Sequence, residues 1–179
     1  MQKGRALYSG FYIVMTLFIC ILSLVVVEKH TQAVLESGNN KETLSLLQRI
    51  FTEADYYSYD TDTEIYTIYN DRRDVTGYSF YGVDKGFRGD IDVLIGLKDK
   101  ETIFGIVVIQ QHEDYSYWFR LVSGNFFEQF NGLKIENCFI TGYGLGYGRV
   151  DAASGATVSS WGVVDAVRKT SLDKIKYIQ

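Results

Sequence analysis

Residues 6–27 read ALYSGFYIVMTLFICILSLVVV, 22 consecutive positions without a charge. A helix rising 1.5 Å per residue carries such a run across roughly 33 Å, enough for a hydrocarbon core of ~30 Å. The run is too long and too apolar for a buried helix of a small domain. It also exceeds the ~7–15 apolar residues of a cleaved signal peptide, and no small-residue cleavage site precedes Glu28. Ile19 beside Cys20 is too bulky for lipoprotein processing. The reading is an uncleaved single-pass anchor. Lys3 and Arg5 precede it with no acidic residue nearby, so the positive-inside preference predicts a cytoplasmic N-terminus. The chain is then expected to divide into a cytoplasmic end and anchor over 1–27 and an extracytoplasmic domain over 28–179, held at the cytoplasmic (inner) membrane.

Setting aside Lys3 and Arg5 leaves 16 basic against 22 acidic residues, so the exported part carries about −6. An acidic domain excludes a nucleic-acid binder and is not held to an anionic membrane surface by its charge. Two cysteines and two histidines, with no CxxC or HExxH, exclude a structural zinc or cysteine-held iron–sulfur site. Pairing Cys20 with Cys138 would join the middle of the apolar run to the soluble part, and is rejected. Proline is absent and 15% of residues are aromatic, a mixture that suits a sheet whose turns rely on Gly, Asn and Asp.

Periodicity places a helix over 41–52, with Leu44, Leu47 and Phe51 on one face. Strands are expected around 65–69 and 75–82, and a hairpin over 90–109 whose strands flank Lys98-Asp99-Lys100-Glu101. A short helix is expected over 125–130. A last helix should run from Ser159 or Ser160 to Ile175, burying Trp161, Val164, Val167 and Leu172. The expected fold class is α+β: a mainly antiparallel sheet flanked by helices.

The chemistry concentrates in residues 151–160, DAASGATVSS. Gly155 and Ala156 strip side-chain bulk from beside the Thr157 hydroxyl, and four hydroxyls precede a predicted helix N-terminus, which suits a phosphate. The plainer reading is a helix cap by Ser159 or Ser160 with Gly155 in the turn. Asp151-x-x-Ser154-Gly155-Ala156-Thr157-x-Ser159 resembles the D-x-x-[ST]-G-A-T-x-[ST] signature of the FMN-binding domain family. That family includes the G subunit of the Rnf electron-transport complex and the C subunit of the sodium-pumping NADH:quinone reductase. The resemblance extends to Gly77-Tyr78, to Gly86-Phe87-Arg88-Gly89 before the hairpin and to Phe127-x-x-Phe130-x-Gly132. It implies FMN held covalently as a phosphoester on Thr157, installed by an exported flavin transferase with FAD as donor. Asp151, Ser154, Gly155, Ala156 and Ser159 would serve the transferase as its recognition sequence.

One segment departs from the family. Where relatives carry a run like H-x-E-T-P-G against the flavin, this chain has His112-Glu113-Asp114-Tyr115-Ser116-Tyr117-Trp118. His112 and Glu113 are the counterparts of the family's His and acid. Tyr115, Tyr117 or Trp118 either stack on the isoalloxazine or only bury surface. By resemblance the chain is an electron carrier among the subunits of an Rnf-like ion-translocating complex. The alternatives are an anchored scaffold of the same fold without flavin and a stand-alone extracellular flavin shuttle.

Other motifs carry less. GYGLGYG over 142–148 fails as GxGxxG and lacks the Lys of a P-loop, leaving a Gly/Tyr loop or strand near the flavin or a plain structural loop. His112 has no GxSxG nucleophile elbow to serve, so hydrolysis is excluded. Asp90 and Asp92 alternate with Ile91 and Val93 as the wet face of a strand, and Arg72-Arg73 reads as a solvated turn.

Overall fold

A computed structural model describes residues 15–23, 41–141 and 149–178. The chain separates into two compact units, Met1–Thr43 and Leu44–Gln179. In the first, residues 15–23 are helical. The rest of the expected anchor and the polar connection over 31–40 lie outside the described residues, as does the GYGLGYG segment. Among the described residues no helix is long and apolar enough to cross a membrane.

The second unit is a five-stranded antiparallel meander in the order β1-β2-β3-β4-β5. Its strands are β1 (Tyr56–Asp60), β2 (Ile65–Tyr69), β3 (Val75–Lys85), β4 (Asp90–Leu97) and β5 (Ile103–Gln111). The expected hairpin is β4–β5, with Ile95 opposite Ile106 and Leu94 opposite Val107. In the absence of proline, acidic and amide side chains shape three tight connections. Asp60 Oδ1 accepts from the Asp62 N–H, Asn70 Oδ1 from those of Arg72 and Asp74, and Asp99 Oδ1 from those of Glu101 and Thr102. This is the Asx-turn chemistry that composition predicts. Strand β1 was not expected: its tyrosine-rich sequence exposes most of its residues, leaving little alternation to read.

Both faces of the sheet are covered, which is why β4 buries Val93, Leu94, Ile95 and Leu97 on successive positions instead of alternating. One face packs on the short helix α1 over 41–47 and the turns that follow it, through Leu47, Ile50 and Phe51. Phe51 lies where side chains at Gly77 and Gly96 would stand. The helix is shorter than the predicted 41–52 because the chain turns at residue 48 to bring Ile50 and Phe51 down together. The opposite face packs on α3 (Thr157–Lys174), through Val163, Val164, Ala166 and Val167. Leu172 is 40% exposed, contrary to expectation, because Ser171 takes the inward position in the last turn. Between strand and last helix come α2 (Tyr115–Ser123) and a 3-10 turn, Phe126–Phe130, whose Phe126 and Phe130 are fully buried. Fully burying one such aromatic is worth about 1.5–3 kcal/mol.

Candidate functional site

The loop over 151–156 leads into α3, and contacts from four places hold it. Near its start, Gln129 of the 3-10 turn pairs with the Asp151 backbone in both directions, at 2.8 Å to the N–H and 3.1 Å to the carbonyl. In the middle, Arg120 of α2 donates to the Ser154 carbonyl at 3.2 Å. At its end, the Ser160 hydroxyl accepts from the Ala153 N–H and donates to the Ala156 carbonyl, both at 3.0 Å. The fourth hold is the Ser159 hydroxyl, which donates to Glu113 Oε2. Glu113 is buried, and its Oε1 accepts from the Arg88 N–H at 2.9 Å. One acid thus ties the β3–β4 turn to the first turn of the last helix.

The helix starts at Thr157, two residues before the expected start, with Ala156 as N-cap and no side-chain cap. Ser159 and Ser160 therefore do not cap it; they lie in its first turn, buried, with both hydroxyls engaged. Thr157 differs. It is half-buried, and its hydroxyl has no partner among the described residues. Gly155, at φ +74°, needs the freedom of glycine, since an L side chain there is strained.

A groove of about 300 Å³ opens at Thr157, lined by Phe87, Tyr117 and residues 155–159. Phe87 is 55% exposed, and its ring meets Tyr117 edge-on at 5.0 Å between centroids. A larger groove of about 790 Å³ lies along the same loop, where Asp151 and Ser154 meet Arg120 and Gln129. The motif is thus presented between two depressions, with Thr157 on the aromatic one.

The other site residues expected from the sequence distribute unevenly. Glu113 underlies the first turn of α3 rather than lining the groove. His112 is exposed, with Nδ1 3.4 Å from the Asp90 carbonyl and Nε2 3.3 Å from the Gln110 amide. The segment that departs from the T-P-G turn becomes α2, with Asp114 as its N-cap. Its helical turn sends the three aromatics in different directions. Tyr117 lines the groove, Tyr115 is 80% exposed and stacks with Phe119, and Trp118 packs on Phe127. Arg120 and Gln129 were not singled out by the sequence; they stand 34 and 22 residues from the loop they hold, and no local pattern marks them. Phe87 stood in a recognisable segment without a role assigned.

A group esterified to a threonine needs an unpartnered hydroxyl, a backbone without bulk and open space beside it, and Thr157 has all three. Phe87 and Tyr117 offer apolar, polarisable surface to a flat ring. The residues present fit FMN.

The FMN-binding domain family matches residues 86–171. The G subunit of the ion-translocating oxidoreductase complex of Methanosarcina acetivorans is 36% identical over 94 residues, which cover 52% of this chain and 48% of that protein. The match therefore spans about half the length of that curated relative. The crystal structure of NqrC from Shewanella oneidensis superposes with a TM-score of 0.50 at 19% identity, over 70% of this chain and 73% of that one. That likeness bears on the fold, and it agrees with the α+β class read from the sequence. The family resemblance read from the signature is borne out.

Proposed function

Since residues 86–171 match the FMN-binding domain family, we propose that this chain is an electron-transfer flavoprotein carrying FMN as a phosphoester on Thr157. The observation that carries the reading is the Thr157 hydroxyl, without a partner in a helix turn where the Ser159 and Ser160 hydroxyls are engaged, and beside an aromatic groove. The bound flavin supplies one- and two-electron redox chemistry; the protein supplies attachment, orientation and electrostatics. Phe87 and Tyr117 exclude water from one side of the groove. Glu113 and Ser159 fix the first turn of α3, and with it the direction of the Thr157 Cα–Cβ bond. Asp151, Ser154 and Gly155 are exposed, open to a flavin transferase that transfers FMN from FAD with release of AMP, while the buried Ala156 anchors the end of the loop in the core.

The uncharged run at 6–27 supports a membrane anchor, and Lys3 and Arg5 support an extracytoplasmic domain. With a relative that is the G subunit of an ion-translocating oxidoreductase complex, the reading is a G-type subunit whose donor and acceptor are neighbouring subunits. The test is the intact mass of the full-length protein co-expressed with an active flavin transferase, beside Thr157→Ala. A gain of FMN less water in the wild type and none in the variant is expected. An unmodified wild type, with a control substrate modified in the same cells, returns the loop to a structural role and the chain to a scaffold.

A further inference from the structure

We propose that Arg120 is the counter-cation of the phosphodiester at Thr157, and that residue 155 is glycine in part to let the guanidinium approach; this rests on the reading above. A Cβ built on Gly155 would stand 2.8 Å from Nη1, 3.1 Å from Cζ and 3.4 Å from Nε of Arg120. The guanidinium therefore lies against the bare Cα of a residue two positions before Thr157. Only Nη1 is used, in the bond to the Ser154 carbonyl. An arginine fork has five donors, and phosphate is the anion it matches in a bidentate way.

Two other cations, one beside Phe87 and one on α3, are already paired. Arg88, next in the chain to the Phe87 that lines the aromatic groove, pairs with Asp114 at 3.1 Å. On α3, Lys169 pairs with Asp84 and Asp165. Arg120 has no carboxylate within ion-pair distance among the described residues. A diester carries one negative charge at every physiological pH, added here to a domain already near −6. A free guanidinium at the attachment loop offsets that charge and restrains the linkage. The competing reading is a brace that only holds the Ser154 carbonyl.

The test uses full-length protein, flavinylated in the cell. Arg120→Gln removes the charge while keeping an N–H donor for the Ser154 carbonyl. Phosphorus NMR of the wild type is expected to show a diester resonance displaced from that of a small dialkyl phosphate. In Arg120→Gln that resonance returns to the small-molecule position, and the fluorescence anisotropy of the flavin falls. Modified wild type and Arg120→Gln with coincident resonances and anisotropies overturn the assignment and leave the brace. A second measurement needs no folded variant: the Arg120 Nε resonance of the wild type before and after flavinylation. A shift on flavinylation supports the pairing; an unmoved signal refutes it. A wild type that gains no FMN under an active transferase fails the underlying reading, a distinct result.

Discussion

Thr157 and Ser159 are two residues apart, both hydroxylic and both in the signature, yet the fold gives them opposite tasks. Ser159 is 1% exposed and bonded to the buried Glu113; Thr157 is half-buried and without a partner. Removing one partner of a buried hydrogen bond costs about 1–3 kcal/mol, because the remaining group has lost water without gaining a substitute. Ser159→Ala is therefore expected to lower unfolding free energy by about 1–3 kcal/mol in chemical denaturation. Thr157→Ala leaves no polar atom stranded and should stay within about 0.5 kcal/mol of the wild type while losing the flavin. If both variants destabilise equally, the division of labour in this turn is wrong. The signature alone displays Thr157 because it ends a run of small residues. It does not display Ser159's partner, since Glu113 lies 46 residues away.

At the scale of elements, legibility followed local chemistry. The β4–β5 hairpin was readable because Asp99 makes its turn and apolar residues crowd both strands. Helix α2 was not: Tyr117, Trp118 and Leu121 face the core, but the exposed Tyr115, Phe119 and Val122 are apolar too, so the inward stripe does not stand out in the sequence. Helix α3 was readable in its middle, but its start was misplaced because serines that resemble caps are consumed by Glu113 and by the loop backbone. The reason for its close docking is Gly162. A Cβ there would meet the Lys85 carbonyl at 2.7 Å and Gly86 Cα at 2.9 Å, backbone atoms that cannot swing aside. Helix propensity alone would favour Gly162→Ala by about 1 kcal/mol. The opposite outcome is expected: α3 is pushed off the β3–β4 turn, the melting temperature falls, and flavin loading falls with it because Glu113, which accepts from the Arg88 N–H of that turn, holds the first turn of the helix through Ser159. Gly132 is the control. At φ +74° with nothing within 4 Å of a Cβ, Gly132→Ala costs only backbone strain, roughly 1–2 kcal/mol, and leaves loading unchanged.

On the scale of the whole molecule, the sheet separates two cores, and each contains a group that resists ionisation. Cys138 is fully buried with its Sγ 4.0 Å from the Val164 carbonyl; burial pushes its thiol from an ordinary 9.0 up to about 12. On the other face, Tyr57, Tyr59, Tyr66 and Tyr81 cluster across β1–β3, with Tyr59 and Tyr66 centroids 4.5 Å apart. Burial, and then the neighbouring phenols, raise Tyr66 from 10.0 to about 12. Both groups hold their protons in the folded state at a pH where the unfolded chain has released them. The folded state then binds more protons, and stability falls as pH rises. The window opens near pH 9, where an unfolded thiol titrates, and extends to about 12, where the folded groups follow. Below pH 9 neither group contributes a slope. Thermal melts of the full-length protein are expected to be flat through neutrality and to decline above pH 9. Cys138→Ala removes the earlier part of the decline and Tyr66→Phe the part beginning near pH 10, each at some loss of packing that shifts the curve without tilting it. Parallel curves for wild type and both variants would mean that the alkaline loss arises elsewhere, from the general release of charge by lysines and exposed tyrosines rather than from the two cores.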